Sequence, residues 1–461
     1  MSTIDVRPSY RQGITTGQPS GDATPDGPIA RIVVGSVLLG LIGALFLDLV
    51  VFGGSSEHVI TGSALLAFGA GWTVLAVLST RMTNQPQQWA FVPAAYMSVV
   101  GAALLLFAPG DDGLRLMGWI WPAPVLALAI WIAVGSRRHL QSRTRGWLLY
   151  PIVAFLALGA LGCSYQTVQS SLDHSTDVMP GQAYDVGGRR LHLTCTGAGS
   201  PTVVLQNGLG ETSAHWAWIT RAVAADTRVC AYDRAGQGWS DDAASPQHAV
   251  EIAADLHTLL ERANEPGPYV LAGHSSGGPY MLTYAAQYPT DVAGVVLLDA
   301  TSPRAFTELP DFSGTNATMR RLFGLASSLS RLGLAQLLGA GAGAGLPAPA
   351  AGQVDAFATS PRYVRGQLEE LSTLAVSLTQ AGQLRDLAGK PLAVVTAGEG
   401  QQAGWAAAQD RLATLSANHL HRVVPATHSS LLLDETDSAH SARAIADVVR
   451  SVRTRSALPA S

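Results

Sequence analysis

Five long apolar runs fill the first third of the chain, and they constrain its fold more than any other feature. The runs cover residues 32–52, 60–79, 89–108, 118–135 and 147–164. Each is close to the roughly 20 residues that an α-helix needs to cross a hydrocarbon core. The whole chain is 48% hydrophobic and only 13% charged, and hardly any charge lies inside the runs. The pattern predicts a five-helix transmembrane domain over residues 29–165 rather than a set of helices buried in a soluble core.

Arginines in the connecting segments predict the orientation of these spans. The connection after the second run and the one before the fifth are basic, with Arg81, Arg137, Arg138, Arg143 and Arg145. The other two connections are mainly acidic, with Glu57, Asp111 and Asp112 against one cation, Arg115. Basic loops stay in the cytoplasm. The N-terminus is therefore predicted to be cytoplasmic, with residues 1–28 as a disordered tail, and everything after the fifth span is predicted to be extracytoplasmic.

The strongest chemical motif lies in the second half of the chain. Residues Gly273-His274-Ser275-Ser276-Gly277 follow an apolar run that is typical of a strand and precede a helical stretch. A G-x-S-x-G element in that context is a nucleophile elbow, where small residues on both sides permit a sharp turn that lifts the serine hydroxyl clear of the sheet. Ser275 is thus the candidate nucleophile. We expect His274, inside the elbow, to pack or hydrogen-bond rather than to act as a base.

A histidine and an oxyanion turn stand in the order that such a site requires. His428 follows a strand-like stretch, residues 419–424, in a short loop near the end of the chain. A neutral imidazole there can take the proton of Ser275 and return it to a leaving group. Upstream, Asn207-Gly208-Leu209-Gly210 turns off the end of another predicted strand. The backbone N–H groups of Leu209 and Ser276 are the candidate oxyanion hole.

Taken together, these motifs make residues 183–461 resemble the α/β-hydrolase superfamily, in its bacterial lipase/esterase-like branch. The resemblance rests on Asn207-Gly208, Tyr232-Asp233-Arg234-Ala235-Gly236-Gln237-Gly238-Trp239-Ser240, the Ser275 elbow, Leu297-Leu298-Asp299-Ala300 and His428. It implies an α/β fold with a helical cap at about residues 303–385, joined to the spans by a linker over residues 166–182. Many relatives have His-Gly at the oxyanion turn, where this chain has Asn207-Gly208.

The catalytic acid is the point at which the chain departs from the family pattern. The acid usually follows the strand after the cap, but no Asp stands at that offset after residues 392–398. Asp299, at the end of the strand before the cap, and Glu399, after the later strand, both remain candidates. Asp299 is favoured, because some superfamily members place their acid after that strand. The alternative role for Asp299 is to cap the turn that follows it.

The resemblance also bears on two of the three cysteines. In the usual strand order of the superfamily, the strands that carry Cys195 and Cys230 are neighbours, so the resemblance implies that a disulfide between them is possible. Disulfides persist outside the cytoplasm, which agrees with the predicted orientation. Two buried free thiols are the alternative.

Three classes of function fit these observations. The first is a membrane-anchored serine hydrolase acting on a small-molecule or lipid-like ester or thioester. The second keeps the fold but works as a cofactor-free haloperoxidase or acyltransferase, and the third is a non-catalytic membrane sensor or binding protein. Hydrolysis of epoxides or haloalkanes is disfavoured, because it needs a carboxylate in place of Ser275. The chain has no phosphate-binding glycine loop, metal-ligand cluster or basic stripe, and its net charge is −4. No cofactor, metal or nucleic-acid partner is therefore expected.

Overall fold

The computed structural model describes residues 27–141, 145–176 and 178–459. Most of the predicted cytoplasmic tail and Arg143 of the basic connection lie outside these residues. The described part of the chain contains an N-terminal bundle of helices, followed by an open sheet with helices on both faces.

Within residues 27–141 and 145–176, the N-terminal bundle contains six α-helices. They are α1 (Gly27–Phe46), α2 (Glu57–Met82), α3 (Phe91–Phe107), α4 (Asp111–Ile120), α5 (Pro122–His139) and α6 (Tyr150–Thr176). Four stretches are long and apolar enough to cross a membrane: Pro28–Val51, Glu57–Met82, Gln88–Phe107 and Trp147–Leu172. Helices α4 and α5 meet at a 51° bend and pass the same test as a pair. The described residues therefore hold four candidate spans, or five if the bent pair forms one span.

An eight-stranded mixed sheet forms the core of the C-terminal domain. Its strands are β1 (Gln182–Asp185), β2 (Arg190–Thr196), β3 (Val203–Gln206), β4 (Val229–Tyr232), β5 (Tyr269–His274), β6 (Val292–Leu298), β7 (Leu392–Ala397) and β8 (His419–Val424). The spatial order is β1-β2-β4-β3-β5-β6-β7-β8. Strands β1, β2 and β4 pair antiparallel, and the remaining pairs are parallel. The carboxyl ends of β3 to β8 therefore meet at one edge of the sheet.

Helices cover both faces of this sheet because the buried strands are apolar on both sides. The C-terminal domain contains the helices α7 (Ala217–Val223), α8 (Ala249–Arg262), α9 (Gly277–Gln287), α10 (Ala305–Glu308), α11 (Phe312–Leu329), α12 (Ala335–Leu338), α13 (Ala348–Ala358), α14 (Pro361–Ala381), α15 (Trp405–Ala413), α16 (Ser430–Leu433) and α17 (Glu435–Thr454), of which α10 to α14 form the cap. In β5, Leu271 belongs to the apolar cluster of α8 and α9, whereas its neighbour Val270 belongs to the cluster of α7 and α17.

One predicted segment differs from the structure. Residues 166–176 of the predicted linker continue α6 as helix, so the segment between this helix and β1 is shorter than predicted. The cap consists of α10 to α14 and lies between β6 and β7, and its first long helix begins at Phe312.

Cys195 and Cys230 are register partners on the antiparallel strands β2 and β4, and a disulfide joins their sulfur atoms. The third cysteine, Cys163, is free and buried in α6. The neighbouring strand order that the family resemblance implied thus places the two cysteines opposite one another.

Candidate active site

Ser275 occupies a sharp turn between β5 and α9. Its backbone has φ of +54°, a left-handed conformation that costs a non-glycine residue free energy. The two glycines of the motif are required by close packing: a Cβ at Gly273 would lie 2.6 Å from Gly277, and one at Gly277 would collide with the carbonyl oxygen of Gln206. The Ser275 N–H donates to the carbonyl oxygen of Leu298 at 3.1 Å, which ties the turn to β6.

Asp299 and His428 form a hydrogen-bonded pair at the same edge of the sheet. Nδ1 of His428 lies 2.6 Å from Oδ2 of Asp299. The other carboxylate oxygen accepts hydrogen bonds from Nε1 of Trp405 at 2.7 Å and from the Ala397 N–H at 3.2 Å. Asp299 is only 3% exposed. A carboxylate fixed by three donors is suited to holding an imidazole in one orientation and tautomer.

Glu399, the alternative acid, does not approach His428 in this way. Its backbone N–H donates to the carbonyl oxygen of Ala426 at 3.0 Å, and its residue is exposed. Within the described chain, its carboxylate makes no hydrogen bond or ion pair. The structure therefore brings Asp299, and not Glu399, to the candidate base.

The oxyanion turn lies directly against the serine. A Cβ at Gly208 would lie 2.9 Å from the Cβ of Ser275. Among the hydrogen bonds of the described residues, none uses the N–H of Leu209 or of Ser276. Two unpaired donors beside a nucleophile are what an oxyanion hole requires, since a preorganised N–H stabilises charge only if it is not already engaged.

Arg234 binds the backbone of the oxyanion turn. Its guanidinium donates to the carbonyl oxygens of Asn207 at 2.5 Å and Gly208 at 2.9 Å. The same group pairs with Glu370 of cap helix α14 at 2.6 Å, and it lies 4.9 Å from the ring centroid of Tyr280. Engaging both carbonyls directs the following N–H groups away from Arg234, so the buried ion pair couples the oxyanion turn to the cap.

Glu211 and His274 form a second carboxylate–imidazole pair inside the site. Nδ1 of His274 lies 2.5 Å from Oε1 of Glu211, and its Nε2 lies 2.9 Å from the carbonyl oxygen of His428. Because both ring nitrogens face acceptors, both carry protons and the imidazole is cationic. Oε2 of Glu211 accepts from the Gly208 N–H at 2.5 Å. The pair therefore joins the oxyanion turn to the loop that carries His428.

The pKa values of this pair agree with that charge state. Burial alone would raise the pKa of Glu211, but the charge and hydrogen bond of His274, with smaller contributions from His215 and the Gly208 N–H, lower it to about 2. Burial likewise opposes the charge on His274, yet Glu211 raises the pKa of His274 above its ordinary value. Glu211 is thus ionised near neutral pH, and the raised pKa of His274 favours its cationic form.

Sequence reasoning missed three residues that support the site. Glu211 stands in a glycine-rich turn, where it has the appearance of a solvated loop residue. Arg234 was part of a family motif but had no assigned contact, and Trp405, which binds Asp299, carried no signal at all.

In the described residues, one group of three potential metal ligands comes together, Cys195, Cys230 and Glu265, but both sulfurs are in the disulfide.

Comparisons with known proteins agree with the fold. A family model for the alpha/beta hydrolase fold matches residues 201–331. The crystal structure of the Cif epoxide hydrolase from Acinetobacter nosocomialis superimposes with a TM-score of 0.51 at 14% identity, over 62% of this chain and 96% of that one. The C-terminal part of this chain therefore has the α/β-hydrolase fold.

Relatives found by sequence match only segments of the chain. An uncharacterized protein of Schizosaccharomyces pombe is 34% identical over 192 residues, which is 35% of this chain and 35% of that protein. A putative carbamate hydrolase of Azorhizobium caulinodans is 31% identical over 113 residues, which is 24% of this chain and 42% of that protein. The chain thus spans less than half the length of either relative.

The contrast between the two candidate acids predicts a clear kinetic difference. Asp299→Asn should lower turnover of a p-nitrophenyl ester by roughly a thousandfold or more, because the amide cannot hold the His428 tautomer and stabilise its positive charge. Glu399→Gln, an equally conservative change at an exposed position, should stay within about twofold of the wild type. A large loss of turnover in Glu399→Gln, together with nearly normal turnover in Asp299→Asn, would reverse the assignment of the catalytic acid.

The Glu211–His274 pair predicts a pH-dependent contribution to stability. The pKa of Glu211 falls from 4.5 to about 2 on folding, so its contribution is complete above pH 4.5 and is lost towards pH 2. The pKa of His274 rises above 6.5 on folding, so its contribution is complete below pH 6.5 and is lost as the pH rises through the folded value. Glu211→Gln should therefore be most destabilising, by about 3 kcal/mol, between these two limits.

Unfolding midpoints of the full chain in detergent, measured from pH 3 to 9, would check this expectation. Glu399→Gln serves as the matched control and should follow the wild-type curve throughout. A Glu211→Gln deficit that is the same at every pH would show that the pair is not ionised in the folded protein.

Proposed function

We propose that this protein is a membrane-anchored serine hydrolase, which cleaves an ester, thioester or lipid-like substrate through an acyl-enzyme. The observation that carries the proposal is the 2.6 Å hydrogen bond between Asp299 and His428, at the sheet edge where Ser275 stands in a strained turn. A free serine hydroxyl is a weak nucleophile, and an oriented base is what activates it.

In the proposed reaction, His428 removes the hydroxyl proton as Ser275 Oγ attacks the acyl carbon. The N–H groups of Leu209 and Ser276 stabilise the oxyanion, and one such donor is worth about 3 kcal/mol of transition-state stabilisation. The protonated His428 then delivers its proton to the leaving group. Water, activated by the same imidazole, finally hydrolyses the acyl-enzyme and regenerates Ser275.

Two features of the site support hydrolysis of an ester-type bond over the alternatives. The nucleophile position is a serine, whereas epoxide and haloalkane hydrolysis need a carboxylate there. The fold that this chain shares with an epoxide hydrolase therefore does not imply the same reaction. The His428 side chain is 46% exposed, which gives water access to the base and favours hydrolysis over acyl transfer.

The contacts of the N-terminal bundle support membrane anchoring with the hydrolase domain outside the cytoplasm. The cap ion-pairs with Glu57, at the start of α2, and with Asp111, at the start of α4. Arg81 lies in the last turn of α2, and the last turn of α5 contains Arg137 and Arg138. The basic helix ends thus lie at the opposite end from the hydrolase domain, as the positive-inside rule requires of the cytoplasmic side.

The nucleophile can be tested without knowledge of the substrate. A fluorophosphonate probe should label the wild type, whereas Ser275→Ala should abolish labelling and His428→Ala should slow it by at least a hundredfold. Ser372→Ala, at an exposed serine of α14, is the matched control and should label normally. Labelling that survives in Ser275→Ala would exclude Ser275 as the nucleophile. The rates at which the wild type hydrolyses p-nitrophenyl esters of increasing acyl-chain length would then define the acyl preference.

The orientation predicts where a reporter is active. Alkaline phosphatase fused after Ser171 should be exported and active, and the same enzyme fused after Arg138 should be inactive, because that connection stays in the cytoplasm. Comparable expression of both fusions is the control. The opposite pattern would place the hydrolase domain in the cytoplasm.

A further inference from the structure

One part of the cap is built to contact both the N-terminal bundle and the active-site region. It consists of residues 312–338, formed by α11, a π-helical turn at Ser330–Leu334 and α12, and we call it the cap platform. Its Arg331 pairs with both oxygens of Glu57 and with Asp111 at 2.7 Å, and all three side chains are largely buried. Thr61 of α2 donates to Ser328 at 2.8 Å.

The platform contacts the bundle inside a candidate span rather than beyond its end. Leu332 packs on Gly159 and Gly162 of α6, and at Gly162 there is no room for a side chain. Gly162 lies 15 residues after Trp147, the first residue of the stretch Trp147–Leu172. At 1.5 Å per residue this is about 22 Å along the helix, which is less than the roughly 30 Å thickness of a hydrocarbon core.

The outer surface of the platform is apolar and exposed. Four leucines are exposed, Leu322 by 59%, Leu329 by 39%, Leu334 by 38% and Leu338 by 76%. The surface continues onto α6, where Leu158 is 67% and Leu161 is 58% exposed beside the glycines that the platform contacts. A soluble monomer rarely exposes an apolar surface of this extent.

The charge of this segment is also distinctive. The platform contains three arginines, Arg320, Arg321 and Arg331, and no Asp or Glu, in a chain whose net charge is −4. Glu57 and Asp111 neutralise Arg331, so Arg320 and Arg321 remain as the positive charges of the platform. A helix with basic residues and exposed leucines is typical of a segment that lies in the headgroup region of an anionic bilayer.

The inner face of the same helix borders the active site. Phe312, Met319 and Phe323 pack against an apolar cluster that includes Trp405, the residue that binds Asp299, and Leu209 of the oxyanion turn packs against that cluster too. One helix therefore presents leucines outward, next to the exposed face of α6, and aromatic side chains inward towards the candidate catalytic residues.

We propose that the cap platform lies in the outer leaflet of the bilayer, with its leucines among acyl chains and with Arg320 and Arg321 at anionic headgroups, and that the substrate reaches Ser275 from the bilayer rather than from water. The lipid contact follows from the surface of the platform. The route of the substrate rests on the proposed hydrolase function, and it narrows the substrate class to an ester with a membrane-partitioned acyl chain.

Spin labels can test the lipid contact independently of catalysis. In full-length protein with Cys163→Ala, reconstituted in nanodiscs of phosphatidylcholine and phosphatidylglycerol, Leu322→Cys and Leu338→Cys would each carry a label. Ser372→Cys, on the exposed side of α14, is the matched control. Labels at 322 and 338 should collide more with oxygen than with a water-soluble nickel chelate, and the label at 372 should do the reverse. Nickel accessibility at 322 and 338 equal to that at 372 would overturn the proposal.

Kinetics test the route of the substrate. The double variant Leu322→Glu/Leu338→Glu should lower kcat/KM at least fivefold for a long-chain ester dispersed in vesicles and leave hydrolysis of a short, water-soluble ester unchanged. Equal losses on both esters, or no loss on either, would contradict entry from the bilayer. If the wild type hydrolyses neither ester, the proposed function fails, and the spin-label result still decides the lipid contact.

Discussion

The backbone turn at Ser275 is the constraint on which the candidate site depends. A non-glycine residue with positive φ costs on the order of 1–3 kcal/mol, so the surroundings must hold it in place. They do so through Gly273 and Gly277, which allow β3, β5 and α9 to approach closely, and through the N–H of Thr301, which donates to the Ser275 carbonyl oxygen at 2.9 Å. Thr301 lies two residues beyond Asp299, so the strand end that supplies the acid also fixes the nucleophile.

Three histidine–carboxylate pairs in the described residues take their carboxylate from a segment that follows a parallel strand (Asp233 after β4, Glu211 after β3 and Asp299 after β6), and they differ in burial. The His192–Asp233 side chains are fully buried, and in the second pair the His274 side chain is 1% exposed and Glu211 14% exposed. Both histidines have acceptors at both ring nitrogens, so neither can accept a proton from a serine. His428, at 46% exposure, uses only Nδ1 for its carboxylate and leaves Nε2 for the reaction. A histidine beside a carboxylate is thus not enough to identify a general base. The second ring nitrogen must also be without an acceptor, so that it can take the proton of the serine.

The sequence allowed most of the sheet to be predicted, but it did not decide the acid. Strand β8 begins and ends at the residues that the sequence pattern indicates, because a short strand can be read from local composition. Asp299 and Glu399 both follow such strands, and the direction of a carboxylate after a strand depends on tertiary contacts: φ of +42° at Asp299 and the donor Trp405, which is 106 residues away in sequence. The start of α11 at Phe312 also depends on tertiary contacts. Its Ser-Gly-Thr-Asn stretch is a poor helix former, and packing against α14 and α2 overrides that preference.

Buried ion pairs also determine how the cap contacts the N-terminal bundle. Buried ion pairs add little net stability, because the desolvation of both charges offsets their attraction, but separating the partners costs about 3–5 kcal/mol. The pairing of Arg331 with Glu57 and Asp111 therefore adds little to the net stability of the contact between cap and bundle. Its main effect is to favour one position of the cap over the alternatives. Arg234, paired with Glu370 of the cap, does the same for the oxyanion turn. Helix α6 also extends to Thr176, beyond the end of its candidate span at Leu172. Because buried ion pairs and the contact of Leu332 with α6 hold the cap against the apolar helices, these helices are part of the packing that positions the cap.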